Sequence, residues 1–387
     1  MPTLIQGGNV LRPDGQMERG DILIDGGVIR EVSAGISAVT GAELIDASGL
    51  TLAPGFIDLH VHGGGGFSLA TPDPDEIRSY ARWAVAYGVT SFLASICAPD
   101  LEVALDYMRA VTLAAGPVAG GANLLGIHLE GPFVSHERRG ALPDSWPLPP
   151  DPRTLDGLLQ AANGLLRLVT IAPELPGADR LVRTAVARGA TVAVGHTDAG
   201  YATAVKAFQA GATHVTHAWN AMRPWHQRDP GPLGAALDCP QATIEVIADG
   251  VHLHPTTVRL LIRAFGADRT VLVSDAVAPA GLSAGTFRIG SQEARLEDGR
   301  MLLPDGTIAG SAATMDQLVR CVIEWGCAEP AQALRMASAV PARVLGVSQR
   351  KGAIQPGWEA DVVALDGSLG VAMTWVAGNL VYQRPGR

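Results

Sequence analysis

Cysteine, lysine and long apolar runs are all scarce in this sequence of 387 residues. Only four cysteines are present, and none of them has the C-x-x-C spacing of a zinc or redox motif. This scarcity predicts a protein of a reducing compartment, the cytoplasm. We interpret the four as core residues: Cys97, Cys239, Cys321 and Cys327.

No uninterrupted apolar stretch reaches the roughly 18 residues of a membrane span. The amino terminus also lacks a basic region followed by an apolar run, so we expect neither export nor a membrane partner. Excess positive charge is missing too, since the net charge is −9 and the isoelectric point about 5.6. The electrostatic field of this negative charge repels nucleic acid, so no nucleic-acid partner is expected. Any bound anion must be held by local groups.

What the sequence does contain is 47% apolar residues, enough to bury a large core. Its first fifty or so residues alternate short apolar runs with Gly-Gly and Asp-Gly turns, which predicts a small β unit. From Pro54 onward, buried strands alternate with helical patterns. We predict eight strands, near Phe56–His62, Thr90–Ser95, Leu124–Leu129, Leu166–Ile171, Thr191–Gly195, Thr213–His217, Thr243–Ala248 and Val271–Ser274. Helices are predicted near Glu76–Tyr87, Leu101–Ala114, Ala178–Arg188, Tyr201–Ala210, Thr256–Phe265, Met315–Trp325 and Pro330–Leu345.

This alternation favours an α/β fold, a (β/α)8 TIM-like barrel, over a doubly wound sheet. After Gly346 the chain returns to β character, so its two ends could pair into one small β-sandwich. We therefore predict a barrel domain over residues 54–346. The sandwich is predicted to combine residues 1–53 with residues 347–387.

Barrel enzymes place their chemistry at the carboxyl ends of the strands, and several predicted strands here end in metal-ligand residues. Any one of these residues alone could be a wall residue of the barrel, but buried imidazoles and carboxylates on four strands are costly unless they are paired or bind metal. The predicted ligands of one or two divalent ions are His60, His62, Glu130, His196 and His217. Asp58 is expected on the same strand face as His60 and His62. Zn²⁺, Fe²⁺, Mn²⁺ and Co²⁺ all suit this donor set.

Other ligand-type residues are set aside. His128 and His214 each precede a stronger candidate on the same strand, and we expect them to hydrogen-bond within the barrel wall. The chain has only two lysines, Lys206 and Lys351, and neither falls at a predicted strand end where it could bridge two ions. Counting alone therefore makes Glu130 the best-placed bridging ligand.

Asp275 ends the eighth predicted strand, where a carboxylate can take a proton from metal-activated water and pass it to a leaving amine. The alternative for Asp275 is a helix N-cap. His252 follows the seventh strand and could polarise a carbonyl, while His254 is more simply a solvated loop residue. Arg223 and Arg228 follow the sixth strand and could bind phosphate or carboxylate, although exposed arginines are often merely solvated.

Together these residues resemble the N-acetylglucosamine-6-phosphate deacetylases of the amidohydrolase superfamily, over nearly the whole chain. The segments that carry the resemblance are Ala53–Gly63, Gly126–Pro132, Gly195-His196, Thr216-His217 with Asn220–Met222, Ile247–His252, Ser274–Gly281, Ala309–Ser311 and Ala339–Gly346.

The resemblance implies that Glu130, His196 and His217 hold the principal ion. His60 and His62 would hold a second one together with Glu130, and Asp275 would be general base and then general acid. It also implies sugar or amide contacts for His252 and phosphate contacts for Asn220 and Ala221. Arg228 would be supplied by the neighbouring subunit of a homodimer.

One segment departs from the family pattern. Family members usually carry a histidine about a dozen residues after the glutamate, where this chain has Leu142. This departure leaves three alternatives: weaker binding of a phosphosugar, use of His136, Arg138 or His226 in place of that histidine, or a preference for another N-acyl substrate. The leading hypothesis is deacetylation of N-acetyl-D-glucosamine 6-phosphate. The alternatives are N-acetylgalactosamine 6-phosphate or an unphosphorylated N-acyl amino sugar, and a barrel that binds a sugar phosphate without catalysis.

Overall fold

The computed structural model describes residues 1–37, 39–290 and 292–386. Its centre is a sheet of eight parallel strands in sequential order, which confirms the predicted barrel. The first to eighth barrel strands are Phe56–Asp58, Val89–Ile96, Asn123–Glu130, Leu166–Ile171, Thr191–Val194, His214–Val215, Thr243–Val246 and Thr270–Leu272. Each predicted strand overlaps an observed one, although several end one to four residues earlier than expected.

Helices surround the barrel. They span Pro74–Ala84, Leu101–Ala114, Pro152–Ala161, Ala178–Ala187, Tyr201–Gln209, Gly231–Leu237, Pro255–Phe265, Met315–Glu324, Pro330–Met336 and Ala339–Val344. Two short 3-10 helices span Val85–Tyr87 and Ala267–Arg269. Asp100 begins the Leu101 helix by accepting a hydrogen bond from the amide of Val103 at 2.9 Å. Among the described residues, none of the helices combines the length and the apolar character that crossing a lipid bilayer requires.

The predicted helix over Pro330–Leu345 is divided into two. Ser338 has φ −136° and ψ −71°, which is not helical. The break frees the carbonyl of Ala337 to accept a hydrogen bond from the amide of Ile57 in the first barrel strand, at 2.8 Å. The sequence itself accounts for the break, because Pro341 has no amide hydrogen to donate to the carbonyl of Ala337 and its ring would clash with that carbonyl in a continuous helix.

Small and branched apolar side chains fill the barrel interior. Strands one and eight form no regular ladder, but backbone hydrogen bonds join the segments that follow them, from the amide of Asp275 to the carbonyl of His60 at 2.8 Å and from the amide of His62 to the carbonyl of Ala276 at 2.7 Å. Side chains add to this contact. The carboxylate of Asp58 accepts hydrogen bonds from Ser274, at 3.2 Å from the amide and 2.5 Å from the hydroxyl. Asp58 was expected to share a face with His60 and His62, but the regular strand ends at Asp58, so the alternation stops there. Asp58 closes the barrel instead of joining the ligands.

Both chain ends lie in one further sheet, as predicted. Its hydrogen-bonded order is Asn379–Gln383, Val371–Val376, Val362–Leu365, Thr51–Pro54, Thr3–Leu11, Met17–Asp25 and Val28–Ser33, and Glu43–Asp46 also pairs with Thr3–Leu11. The ends join where Thr51–Pro54 runs antiparallel to Val362–Leu365. The domain boundaries after residues 53 and 346 stay predictions.

A four-stranded antiparallel sheet follows the eighth barrel strand, and the sequence did not lead us to expect it. Its strands are Gly285–Ile289, Gln292–Glu297, Arg300–Leu302 and Ile308–Ser311. We call it the mouth sheet, because several of its residues line the cavity at the barrel mouth. A smaller ribbon pairs Gly63–Gly64 with Phe67–Ser68.

Candidate metal centre and active site

Glu130 lies at the centre of a group of ionisable side chains at the barrel mouth. It is the last residue of the third barrel strand, and its side chain is 5% exposed. Its Oε1 atom lies 3.0 Å from Nε2 of His196 and 3.2 Å from Nε2 of both His217 and His60. Its Oε2 atom lies 3.3 Å from Nε2 of His62. One carboxylate thus contacts all four histidines that we predicted as ligands.

His196 and His217 turn inward through unusual backbone conformations. Their φ angles are 45° and 25°, in a region that side chains with a Cβ atom rarely adopt. Each residue lies two positions after the last residue of a short barrel strand. The turn brings their Nε2 atoms to within 2.9 Å of each other. Backbone strain of this kind clusters at functional sites, where the surrounding structure maintains it.

Glu245 contacts His60, His214 and His217, and we did not predict it from the sequence. Its Oε2 atom lies 3.0 Å from Nδ1 of His60 and accepts a hydrogen bond from the amide of His217 at 2.9 Å. Its Oε1 atom lies 3.2 Å from Nε2 of His214. Burial acts to raise the pKa of Glu245, but His60 and His214 hold it well below its ordinary value. The available signal was a glutamate inside an otherwise apolar strand, Thr243–Val246.

The histidine tautomers make the centre of this group suited to a cation. Nδ1 of His196 lies 2.9 Å from the carbonyl oxygen of Arg138, to which it donates, so its Nε2 carries a lone pair. His60 likewise donates from Nδ1 to Glu245, and its Nε2 lone pair also faces Glu130. Buried lone pairs that face a carboxylate repel one another unless a proton or a metal ion lies between them.

Two sets of three residues have ligand atoms within 4.8 Å of one another: Glu130, His196 and His217, and His60, His62 and Asp275. A third set of the same compactness contains His62, Cys97 and Glu130. Imidazole with carboxylate is a donor combination of divalent transition metals. The predicted ligands therefore do converge, and their chemistry fits metal binding.

Asp275 faces both imidazoles of the first strand segment. Its Oδ1 atom lies 3.5 Å from Nε2 of His60 and 3.4 Å from Nε2 of His62. Burial acts to raise the pKa of Asp275, but these two histidines lower it below its ordinary value. Asp275 is not a helix N-cap, since the next helix begins at Met315. It is a buried, ionised carboxylate beside the donor sets.

A cavity of about 290 Å³ opens beside these ligands. Three residues that we predicted as substrate contacts line it, namely His252, Asn220 and Ala221. Nδ1 of His252 lies 2.8 Å from Oδ2 of Asp249. Burial acts to lower the pKa of His252, but Asp249 raises it above its ordinary value. The cavity is near the lower end of the roughly 300–1,000 Å³ typical of small-molecule sites.

The cavity wall is apolar where the family pattern has a histidine. Leu142 lines it and is only 7% exposed. None of the suggested substitutes is among its described lining residues. Arg228 and His226 are exposed, and Arg138 is held by Asp198 at 2.7 Å. His136 lies 3.2 Å from Asp144 and is exposed.

The residues that we set aside are placed as expected. His128 contacts the hydroxyls of Ser95 and Thr170, both at 2.9 Å, within the barrel wall. Lys206 is exposed on a helix, while Lys351 is buried against acidic side chains of the terminal sheet. His254 is the N-cap of the Pro255–Phe265 helix, accepting a hydrogen bond from the amide of Thr256.

A parallel barrel with these donor sets at its mouth defines the amidohydrolase class, and the sequence model of the amidohydrolase family matches residues 51–381. The chain belongs to the N-acetylglucosamine-6-phosphate deacetylase family within that superfamily. An N-acetylglucosamine-6-phosphate deacetylase of Bos taurus is 38% identical, over 98% of this chain and 94% of that protein. An N-acetylgalactosamine-6-phosphate deacetylase of Escherichia coli O157:H7 is 34% identical, over 98% and 99%.

Solved structures agree with this assignment. A variant of the N-acetyl-D-glucosamine-6-phosphate deacetylase of Mycobacterium smegmatis, solved in complex with N-acetyl-D-glucosamine-6-phosphate, superposes with a TM-score of 0.91. It is 34% identical and covers 99% of this chain and 100% of its own.

Proposed function

We propose that this protein hydrolyses N-acetyl-D-glucosamine 6-phosphate to D-glucosamine 6-phosphate and acetate. The observation that carries the proposal is the ionised carboxylate of Asp275, which lies 3.4 Å from Nε2 of His62 and lines a substrate-sized cavity together with Glu130, His196 and His217. The relatives named above act on N-acetylated amino-sugar phosphates, as their names state. Every predicted metal-ligand position carries a side chain that can bind a metal. Nothing therefore favours the alternative hypothesis of a barrel that binds sugar phosphates without catalysis.

Glu130, His196 and His217 would hold the principal divalent ion, and His60 and His62 would hold a second one with Glu130. Zn²⁺ is the first choice for this donor set, with Fe²⁺, Mn²⁺ and Co²⁺ as alternatives. Such an ion acts as a Lewis acid that lowers the pKa of water from about 15.7 to roughly 7.

Asp275 moves the proton. It takes a proton from the water whose oxygen attacks the acetamide carbonyl carbon, because its carboxylate is ionised and buried beside His60 and His62. When the C–N bond breaks, Asp275 gives that proton to the leaving amine. The second proton of the water is released from the carboxylic acid as it ionises, so the products are acetate and the amine, which takes up that proton or leaves it to solvent.

His252 would hold the substrate for this attack. The raised pKa of its imidazole, caused by Asp249 in spite of burial, favours the protonated ring, which donates a hydrogen bond. Nδ1 is engaged by Asp249, so Nε2 is the atom left for the sugar or its amide carbonyl. Asp249 also accepts the backbone amide of His252 at 2.9 Å, which keeps the ring in place.

The 6-phosphate would be held by Asn220 and the backbone of Ala221, with Arg228 supplied by the other subunit of a homodimer. Arg228 does not line the cavity of its own chain, which is consistent with this arrangement. Leu142 offers no charge to an anion, so the phosphate contribution to binding is expected to be smaller than in relatives with a histidine there. His136, Arg138 and His226 stay as compensating candidates. Because all four cysteines are free, we place the protein in the reducing cytoplasm.

The proposed reaction and the substrate preference can be tested in one assay. Protein loaded with zinc should release acetate from N-acetyl-D-glucosamine 6-phosphate in steady-state assays, with a higher kcat/KM than for the free sugar or for the 6-phosphate of the galactosamine epimer. Asp275→Asn keeps the shape but cannot accept a proton, so it should lower kcat by at least about a hundredfold.

Metal content must be equal in the parent and Asp275→Asn proteins for that comparison, and elemental analysis of both provides the check. Deacetylation at parental rate by Asp275→Asn would contradict the proton-transfer role. Equal kcat/KM values for the phosphorylated and free sugars would contradict the proposed phosphate contacts. A higher kcat/KM for the galactosamine epimer would show that N-acetylgalactosamine 6-phosphate is the preferred substrate.

A further inference from the structure

Within one chain, the groups assigned so far to the substrate phosphate carry no positive charge. Asn220 and the backbone of Ala221 are neutral, and Leu142 is apolar. Arg228 is absent from the described residues that line the cavity of its own chain. A phosphate monoester carries roughly 1.5 to 2 negative charges at pH 7, and taking that charge out of water is costly without a partner. A basic side chain on the cavity wall would offset this cost.

Arg288 is the one arginine or lysine among the described residues that line the cavity. It lies in the mouth-sheet strand Gly285–Ile289 and is exposed. Within the part of the chain that the structure describes, no hydrogen bond or ion pair engages its side chain. Arg138 and Arg223, by contrast, are held by Asp198 at 2.7 Å and 2.8 Å. The five N–H donors of Arg288 are therefore available to an anion in the cavity.

A chain of contacts connects the mouth sheet to the loop that carries Asn220 and Ala221. A Cβ atom added to Gly140 would lie 3.4 Å from Cβ of Ala221. One residue further on, the carbonyl oxygen of Ala141 accepts a hydrogen bond from the side-chain amide of Gln292 at 2.8 Å. Gln292 pairs across the mouth sheet with the residue that follows Arg288. Arg288 therefore belongs to the part of the cavity wall that adjoins the position of the missing family histidine.

We propose that the guanidinium of Arg288 binds the 6-phosphate of the substrate from within the same chain. The planar fork of N–H donors matches two phosphate oxygens and permits a bidentate contact. This inference rests on the function proposed above, because it requires a phosphorylated amino sugar in the cavity. It gives the mouth sheet a part in substrate selection, and it offsets part of the binding that Leu142 does not provide.

Binding of the amino-sugar products tests this contact separately from catalysis. Zinc-loaded parent protein, titrated in a calorimeter, should bind D-glucosamine 6-phosphate more tightly than D-glucosamine. Arg288→Met removes the charge and keeps most of the apolar length of the side chain. It should weaken the binding of D-glucosamine 6-phosphate about tenfold and leave that of D-glucosamine unchanged. Arg288→Lys keeps the charge without the bidentate geometry, so its affinity should lie between those of the parent and Arg288→Met.

Arg300→Met is the matched control, because Arg300 is an exposed arginine of the same sheet that is not among the described lining residues. It should bind both sugars like the parent. Equal affinity of the parent and Arg288→Met for D-glucosamine 6-phosphate would overturn the proposal, and so would an equal loss in Arg300→Met or an equal loss for both sugars. Acetate release with no effect of Arg288→Met on binding would reject only this contact. Phosphate-dependent binding that requires Arg288, without acetate release, would reject only the proposed reaction.

Discussion

Glu245 shows how a residue outside the donor sets can control them. It accepts hydrogen bonds from the side chain of His60 and the backbone of His217, which fixes the tautomer of one histidine and the position of the other. Its carboxylate is fully buried. Such outer partners raise the basicity of a ligating imidazole and hold its orientation.

Glu245→Gln should therefore weaken metal binding by about 10- to 100-fold, because the amide is neutral and presents a single acceptor oxygen. Metal retained after dialysis against a graded series of chelator concentrations measures the change. Glu324→Gln, the same substitution on an exposed helix position, should retain metal like the parent. Equal retention by all three proteins, with circular dichroism unchanged, would contradict the role of Glu245.

Ligand-type side chains at strand ends are chemically conspicuous, which is why these residues could be proposed from the sequence: His60, His62, Glu130, His196, His217 and Asp275. Glu245 could not be predicted in this way. A glutamate within a strand has no visible partner until the histidine of another strand is placed beside it.

The eight barrel strands were predictable because apolar residues recur with different periods in buried strands and in amphipathic helices. The mouth sheet was not predicted, although its turns carry Asp-Gly pairs at residues 298–299 and 305–306. Its strands have mixed, partly exposed patterns, which resemble a loop when no packing partner is known. Its position is set by backbone pairing, since the amide of Ser311 donates to the carbonyl of Asp275 at 2.8 Å.

That pairing predicts an effect of Gly310→Ala on catalysis. Gly310 has a φ of +69°, and an added Cβ atom would lie 2.6 Å from Cγ1 of Val277 and 2.9 Å from the carbonyl oxygen of Asp275. Relief of this contact displaces the segment that carries Asp275, so kcat should fall roughly ten- to a hundredfold. Steady-state acetate release with metal content measured in parallel is the appropriate assay.

Gly306→Ala provides the comparison within the same sheet. Gly306 has a φ of +86°, but an added Cβ atom would meet nothing within 4 Å. It should lose about 1 kcal/mol of stability from the strained backbone and keep its activity. If both variants lost activity equally, the effect would be backbone strain and the contact with Asp275 would have no special importance.

At the scale of the whole molecule, a buried lysine fixes the terminal sheet next to the barrel. Nζ of Lys351 lies 2.5 Å from Oδ2 of Asp361 and 2.6 Å from Oε2 of Glu359. The backbone carbonyl of Asp361 accepts the amide of Gly55, immediately before the first barrel strand, at 3.0 Å. Asp361 therefore connects the terminal sheet to the barrel, and Lys351 neutralises the charge of its carboxylate.

Lys351→Met should reduce the free energy of unfolding by about 3–5 kcal/mol at neutral pH, because it leaves a carboxylate buried without its cation. Lys206→Met, the control at the other lysine, is exposed and should change stability by less than about 0.5 kcal/mol. Urea unfolding followed by circular dichroism gives both values. A loss of equal size in the two variants would contradict the assigned role of Lys351.

The pH dependence supplies a sharper expectation for Lys351→Met. Burial already raises the pKa of Asp361 in the folded protein, although Lys351 acts against it, and removing the lysine raises that pKa further. The folded state then binds a proton more tightly than the unfolded state, so folding is favoured by the proton below the folded pKa and disfavoured above it. The deficit of Lys351→Met relative to the parent should therefore shrink as the pH falls from about 8 to about 5. A deficit that stayed constant over this interval would mean that Glu359 carries the loss, because Lys351 and Arg350 lower the pKa of Glu359 against the effect of burial, and a group with a lowered pKa titrates below this range.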